Sequence, residues 1–555
     1  MSSSRWEVDM CEFQSEQNKE FIQTCMEMMT GMYGTHFSPR MRSLCQMITE
    51  FDYSSPWYDE ILSHLKWMRD KARDNAIEIL KETPAKSSLW GVGASEKNEN
   101  VYGGRLPWIL AVYGSEGEGD KIGWRKYSGA MGAWLSLDTM CDFLSIDPRD
   151  SAVDNFLLRT KVSRFMDSVT SFKWISDLIA MGYGAWCDQE DAAPVELKKV
   201  LSEKNVEQLC DAIGKHATLA GVLDRKFVFV RAMNEWNFNS PLAEELAFKR
   251  TRFTTFREFE KVFFGREPDE KPFVEIDGVP KLLNVGAAAT GLCYAISDLL
   301  ERTLHDGMGI NKGDPLEYAM CYSLQKVKAP RMKVSHTGYL MRDGSSQRDQ
   351  VDLSLWQDSC CFVGEIKGYK SRGGVDGDMN RFTDIQGPVR QITTRLDHLL
   401  EGWRLNGRKF TQFSGAAIMA HDYSSGIWVK ESVDMLGELD VNVLSAHSFI
   451  LVASLMCDVR DLIDYLSFRQ KMKTDILVAD ELEILLGYFQ DFVAPEAGEG
   501  DVRYMMSPFV VSWEDRLRWK IPSGRRRDSW RRSFVAMARP GEFWSGGEWG
   551  TRVTM

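Results

Sequence analysis

The amino-acid sequence predicts an α/β protein, with a mixed sheet flanked by helices in its third quarter and a large, mostly α-helical region before it. Three observations carry that expectation. Apolar residues recur three and four positions apart in the first 270 or so residues, the period of a helix with one buried face. After Gly313 the pattern changes to short runs rich in β-branched, aromatic and alternating residues. Helical stretches bracket these runs, and the order helix, strands, helix, strand is that of a sheet with helices packed on it.

In chain order, the clearest N-terminal helix spans about Pro56 to Leu80. Ser55 suits its N-cap, Pro56 its first turn, and Asp59 and Glu60 the positive end of its dipole. Ile61, Leu65, Met68, Ala72, Ala76 and Ile79 share one face, which belongs in a core. Glycine-rich breaks follow near 91–93, 103–104 and 114–119, and Lys226 to Arg231 reads as a strand. Gly286 to Leu304 reads as a closely packed helix. A helix from about Pro315 to Val327 precedes an extended run, Lys333 to Met341, and two strands, Gln350 to Trp356 and Cys361 to Lys367. The link Gln357-Asp358-Ser359 is short enough to make those two a hairpin. A glycine and charge loop is expected over Ser371 to Asp384, then a helix from near Pro388 to Trp403. A strand at Phe413 to Ala420, a hairpin arm at Gly426 to Lys430, and a strand and helix over Val441 to Leu466 complete the sheet region. Three parts result: residues 1–275, mostly helical; 276–470, the α/β core; and 471–555, helical and basic.

A chain of 555 residues is long enough for several domains, each with its own core. A hydrophobic fraction of 44% and a charged fraction of 27% match globular averages and exclude disordered and fibrous classes. No run of eighteen apolar residues occurs, and the start MSSSRWEVDMCEF lacks the apolar centre of a signal peptide. The expectation is a soluble cytoplasmic protein with no membrane partner. The eleven cysteines show no zinc-site spacing and read as reduced, buried side chains. A net charge of −12 excludes a chain coated in positive potential, so any nucleic-acid contact must be local. There is no phosphate-loop signature around Gly91 to Gly93, no H-E-x-x-H among the eight histidines, and no G-x-S-x-G. His336, His421 and His447 are expected to be structural.

One constellation carries chemistry. Asp352 lies among strand-forming apolar residues in VDLSL, a costly place for a carboxylate without a partner. In the next strand, FVGEIK, alternation puts Glu365 and Lys367 on one face and Ile366 on the other. Paired as a hairpin, Asp352, Glu365 and Lys367 converge at one end of the sheet. Two close carboxylates make a hard oxygen site for Mg²⁺ or Mn²⁺, and a neighbouring lysine suits charge developing on a phosphate. The same alternation of Glu and Lys also occurs where an exposed strand carries a solvated charge pair.

Asp352 followed thirteen residues later by Glu365-Ile366-Lys367, within the frame QVDLSLW…FVGEIKGYK, resembles the PD-(D/E)xK superfamily of restriction-endonuclease-like nucleases. Val351 stands where that motif has its proline. The resemblance covers about a third of the chain. It implies a restriction-endonuclease-like core, Mg²⁺ or Mn²⁺ on Asp352 and Glu365, and Lys367 acting at the phosphate. It further implies Glu317 as an additional carboxylate from the preceding helix and Gln391 as a site residue on the following one. The activity implied is endonuclease cleavage of DNA or RNA, as in restriction and anti-phage defence enzymes or viral nucleic-acid processing.

The segment from Arg516 to Arg532 holds eight basic residues against one acidic residue, Asp528. Arg516, Arg518, Lys520, Arg525, Arg526, Arg527, Arg531 and Arg532, interleaved with Trp513, Trp519, Trp530 and Phe534, form the candidate nucleic-acid contact. The same segment reads equally as a solvated basic tail or as an arm docked on the acidic remainder. The helical N-terminal region is a candidate surface for a homo-oligomer or a partner protein. The competing function is a non-catalytic nucleic-acid-binding or assembly protein with a nuclease-like fold.

Overall fold

A computed structural model describes residues 58–92, 101–145, 172–223, 238–304, 313–368, 375–420, 441–490, 504–544 and 552–553, except 239, 266, 345, 479–480, 511–512, 521–526 and 538. The N-terminal part is built on helices α1 (Tyr58–Glu82), α2 (Val101–Tyr113), α3 (Lys121–Leu144), α4 (Lys173–Gln189) and α5 (Glu203–Leu223). On α1 the expected face is buried through Leu65, Met68, Ala76 and Ile79. Its Ser55 and Pro56 cap and the Lys226 to Arg231 strand lie outside the described residues. A three-stranded sheet of β1 (Ala247–Phe248), β2 (Phe273–Ile276) and β3 (Val279–Leu282) straddles the end of the region read as helical. The β2–β3 turn is Asp277-Gly278, with φ of 53° and 75°. That dipeptide is a strong hairpin signal. Helix α6 (Val285–Thr303) begins at Asn284, whose side chain accepts the Ala287 N–H at 3.2 Å. Helix α7 (Asp314–Val327) has Pro315 in its first turn. It approaches α4 so closely that a Cβ on Gly182 would stand 2.7 Å from the Ala319 Cα.

The central sheet comprises β4 (Lys333–Met341), β5 (Arg348–Gln357), β6 (Cys360–Lys367), β7 (Arg404–Leu405), β8 (Gln412–Met419) and β9 (Asn442–Ser445), in the order β7-β4-β5-β6-β8-β9. β4, β5 and β6 are antiparallel; β6, β8 and β9 are parallel. This is the mixed sheet expected from the sequence, and β4, β5, β6 and β8 fall within two residues of their expected bounds. Asp358, with φ 52°, turns the β5–β6 hairpin, a conformation that aspartate tolerates better than most residues. The arm expected at Gly426 to Lys430 lies outside the described residues.

Two sequence readings need correction here. Helix α8 spans Val375–Leu400, so most of the expected loop is helical and Pro388 lies inside the helix rather than at its start. The physical reason is an apolar stripe that continues across the proline. Ile385, Val389, Ile392 and Leu399 are all buried on the sheet side. Beyond β9, the single expected helix is two, α9 (Ala446–Leu455) and α10 (Val459–Asp475). Every residue of α9 is buried, so it carries no polar face from which to read a helical period.

The C-terminal part is also not simply helical. With α11 (Glu481–Phe489), α12 (Trp513–Arg518) and α13 (Arg527–Met537) comes a mixed four-stranded sheet of β10 (Ile476–Val478), β11 (Tyr504–Val510), β12 (Arg539–Trp544) and β13 (Arg552–Val553). Pro508 and Pro540 lie within these strands, and proline in a run argues against a strand when only sequence is read.

One cluster of buried apolar side chains runs from Ala76 to Phe534 and takes in one face of the central sheet through Leu353, Leu355, Phe362, Ile366 and Ile418. The other face is covered by α8, where a Cβ on Gly415 would meet Ile392 at 2.8 Å. The sheet is thus sandwiched between helices, as in α/β folds. Among the described residues no helix is long and apolar enough to cross a membrane.

Candidate functional site

The β5–β6 ladder runs from Gln357↔Cys360 to Leu353↔Gly364, where the pairing ends. At the next position Asp352 turns its carboxylate toward β6, and its Oδ2 accepts the Ile366 N–H at 2.9 Å. On the β4 side, opposite Asp352, Thr337 has φ 57°, between the pairs His336↔Leu353 and Gly338↔Val351. A β-branched residue in that region is strained. Side-chain alternation also breaks here: Val351 packs with Ile392 under α8, whereas Leu353 and Leu355 belong to the opposite core. The sheet therefore opens at the residue that sequence analysis singled out.

Glu365 is 1% exposed, so it is not half of a solvated pair. It is gripped by Lys367 from its own strand and by Arg395 from α8. Arg395, itself buried, also stands 3.8 Å from Asp349, which His398 approaches to 3.3 Å. Burial alone would push the Glu365 carboxyl up, but the Arg395 guanidinium and the Lys367 ammonium hold it below the usual range. Asp352, also buried, goes the other way. Burial, then the charge of Glu365, push its carboxyl up to about 7, with Glu317 adding to the effect against the Ile366 hydrogen bond. Glu317 is buried in the first turn of α7, where the helix dipole favours an anion. His336 lies 3.3 Å from it, and that hydrogen bond raises the imidazole above its ordinary range.

Sequence analysis assigned His336 a structural role and passed over Arg395. The signal for Arg395 was available: it falls three residues after Ile392 and four before Leu399, on the buried stripe of α8. A charge on an apolar stripe requires a buried partner. Gln391, by contrast, is on the exposed side of α8.

The site has the makings of a cation site in one respect. Asp352 and Glu365 are in contact, and the raised Asp352 carboxyl marks a place short of positive charge. Among the described residues no three His, Cys, Asp or Glu side chains are grouped as a ready metal cage. Two carboxylates nevertheless match the manner of Mg²⁺, which keeps several waters and shares its shell with a substrate phosphate. Asp352 would supply the uncommitted carboxylate of such a shell, whereas both Glu365 oxygens already face Lys367 and Arg395.

The basic C-terminal segment is divided between core and surface. Arg516 is buried, and Arg531 pairs with Asp461 and donates to the Leu455 carbonyl at 2.8 Å. Trp519 is half-buried, packed against the core 5.6 Å from Phe172 and 5.4 Å from Phe534. Arg518, Lys520 and Arg532 are exposed. Arg525 and Arg526 lie outside the described residues, as does His421, and Arg527 opens α13. His447 is buried against Tyr294, and burial lowers its imidazole to about 4, which suits a structural role.

Comparison with known proteins finds no family model that matches this chain and no significant match among curated proteins or solved structures.

Proposed function

We propose that the chain is a divalent-metal-dependent nuclease with a restriction-endonuclease-like core, hydrolysing phosphodiester bonds of DNA or RNA at Asp352, Glu365 and Lys367. The observation that carries this reading is the buried Asp352–Glu365 pair at the opening of the β5–β6 ladder, one carboxylate balanced and the other not. Asp352 and Glu365 would hold Mg²⁺ or Mn²⁺, with Glu317 behind them. Such an ion, when bound, lowers the pKa of water and neutralises charge at the phosphate. Lys367 is anchored on Glu365 and keeps a quarter of its side chain exposed, and in this reading its ammonium would donate to a phosphate oxygen. Arg395 fixes the orientation of Glu365 from behind, the part a supporting partner plays at metal-binding carboxylates.

The test is incubation of wild type, Asp352→Ala and Lys367→Ala with single- and double-stranded DNA and RNA, in Mg²⁺, Mn²⁺ or chelator. Cleavage by wild type alone, lost in chelator and in each folded variant, is the expected result. Binding without cleavage under either metal, unchanged by Asp352→Ala, would overturn it in favour of a non-catalytic nucleic-acid-binding protein.

A further inference from the structure

The contact that orients Glu365 also occupies it. One Glu365 oxygen faces Lys367 and the other faces Arg395, so a divalent cation seated between Asp352 and Glu365 meets a guanidinium at the same atom. That oxygen has lone pairs for both, yet a dication and a guanidinium brought onto one atom repel. Lys367, a quarter exposed, can turn its ammonium into water. Arg395 has no such exit: only 7% of its side chain is exposed, and a buried guanidinium left without an anion is costly. A second acid stands close by. Asp349, two residues before Val351 on β5, shares the α8 side of the sheet, and its Oδ1 lies 3.8 Å from the Arg395 Nε. That separation is beyond hydrogen-bond reach, and among the described residues the buried Nε has no hydrogen-bond partner. A guanidinium that served only to hold Glu365 would need no second carboxylate one short movement away.

Asp349 is placed to receive it. His398, one turn beyond Arg395 on α8, brings its Nδ1 to 3.3 Å from the Asp349 Oδ2. The imidazole lies flat on Trp403, 3.9 Å between centroids and 6° between planes, so the ring that approaches Asp349 is itself fixed. The other oxygen, Oδ1, faces Arg395, and the planar fork of a guanidinium can meet a carboxylate through Nε and one terminal nitrogen. Arg395 thus sits between two acids, Glu365 at the opening of the sheet and Asp349 behind it. Three residues of β5 separate Asp349 from Asp352, about 10 Å at the rise of a strand, so the second acid lies away from a cation held by the first. We infer that Arg395 yields its Glu365 oxygen to a divalent cation and passes to Asp349, which makes Asp349 a positioning residue that sets the metal affinity of the site. The inference rests on the reading of Asp352 and Glu365 as metal-binding carboxylates.

The test is Mn²⁺ binding to the full chain without nucleic acid, read as free Mn²⁺ by electron paramagnetic resonance. Asp352→Ala marks which bound Mn²⁺ belongs to this site. Arg395→Gln is expected to tighten that binding about tenfold and Asp349→Asn to weaken it about fivefold, sizes ordinary for coupled events. A change in local field alone would act in the same directions, so the double variant decides. Exchange predicts that Asp349→Asn has no effect once residue 395 carries no guanidinium to receive, whereas a field effect simply adds. Asp349→Glu keeps a receiving carboxylate and should bind Mn²⁺ as wild type does. Should Arg395→Gln unfold, as thermal melting reports, an Asp349→Asn variant that binds Mn²⁺ like wild type overturns the inference by itself. Additive changes in the folded double variant would also overturn it, as would an Arg395→Gln variant that binds no more tightly than wild type, or no Mn²⁺ held through Asp352 in any variant. Because binding is read without nucleic acid, the two ideas fail separately. Additive Mn²⁺ effects in a chain that cleaves sink only the exchange, whereas a non-additive cycle in a chain that never cleaves sinks only the nuclease reading.

Discussion

Two buried arginine–glutamate pairs in this molecule look alike and differ in one respect. Between α10 and α11, Arg469 meets both oxygens of Glu481 at 2.9 Å, and its other nitrogens reach the Asn442 side chain and the Val443 carbonyl at 2.9 and 2.7 Å. Tyr465 donates to the same glutamate. There the charges close on themselves. At the opening of the central sheet, Arg395 and Lys367 likewise satisfy Glu365, but Asp352 stands beside that group with Glu317 beyond it. One carboxylate is left over. A closed buried pair holds helices and strands in place, whereas an open one marks a place prepared for a cation or a proton.

The largest effect expected from this contrast is on catalysis. Lys367→Ala should lower cleavage by about 10²–10³-fold, the cost of losing one charge donor aimed at the reacting group, and Asp352→Ala at least as much. Glu481→Gln should leave the rate of the folded fraction unchanged, as single-turnover assays would show. If both sites affected turnover equally, the contrast would break.

Next in size is stability. Removing one partner of a buried pair costs about 3–5 kcal/mol, so Arg469→Met and Arg395→Met should both lower the denaturant midpoint. At the open site alone, the change in charge at Asp352 reverses the sign: Asp352→Asn should raise the midpoint at pH 8 while the Ile366 N–H keeps an acceptor. A midpoint lowered by Asp352→Asn at that pH would count against an unbalanced carboxylate.

A smaller effect separates the sites by pH. The Asp352 carboxyl is raised in the folded chain to about 7, so below its unfolded value, near 4, its contribution to stability is fully present. That contribution is lost as pH rises from about 4 through 7. Thermal melts of wild type and Asp352→Asn should therefore converge below about pH 4 and separate as pH rises through 7, with the full gap above neutrality, and Mg²⁺ should narrow the gap on the alkaline side. Curves that run parallel throughout would remove Asp352 as the titrating group. The smallest expected effect is that of Gln391→Ala, an exposed change worth within about 0.5 kcal/mol in chemical denaturation.

Much of this was readable from residues next to one another in the chain. The alternation in FVGEIK placed Glu365 and Lys367 on one face, and the short link to VDLSL brought Asp352 alongside, because strand period and hairpin closure are local properties. The boundaries of α8 and the strands with Pro508 and Pro540 were not readable, since each depends on what packs against it.

The sequence by itself determined the mixed α/β class, the strands β4, β5, β6 and β8, and the meeting of Asp352, Glu365 and Lys367. Only the tertiary structure decided that Arg395 reaches Glu365 across thirty residues, and that Arg516 and Arg531 turn inward. Periodicity is carried by each segment's own backbone, but the partner of a charge is whichever group the folded chain brings within a few ångströms, and that is fixed only when the elements pack.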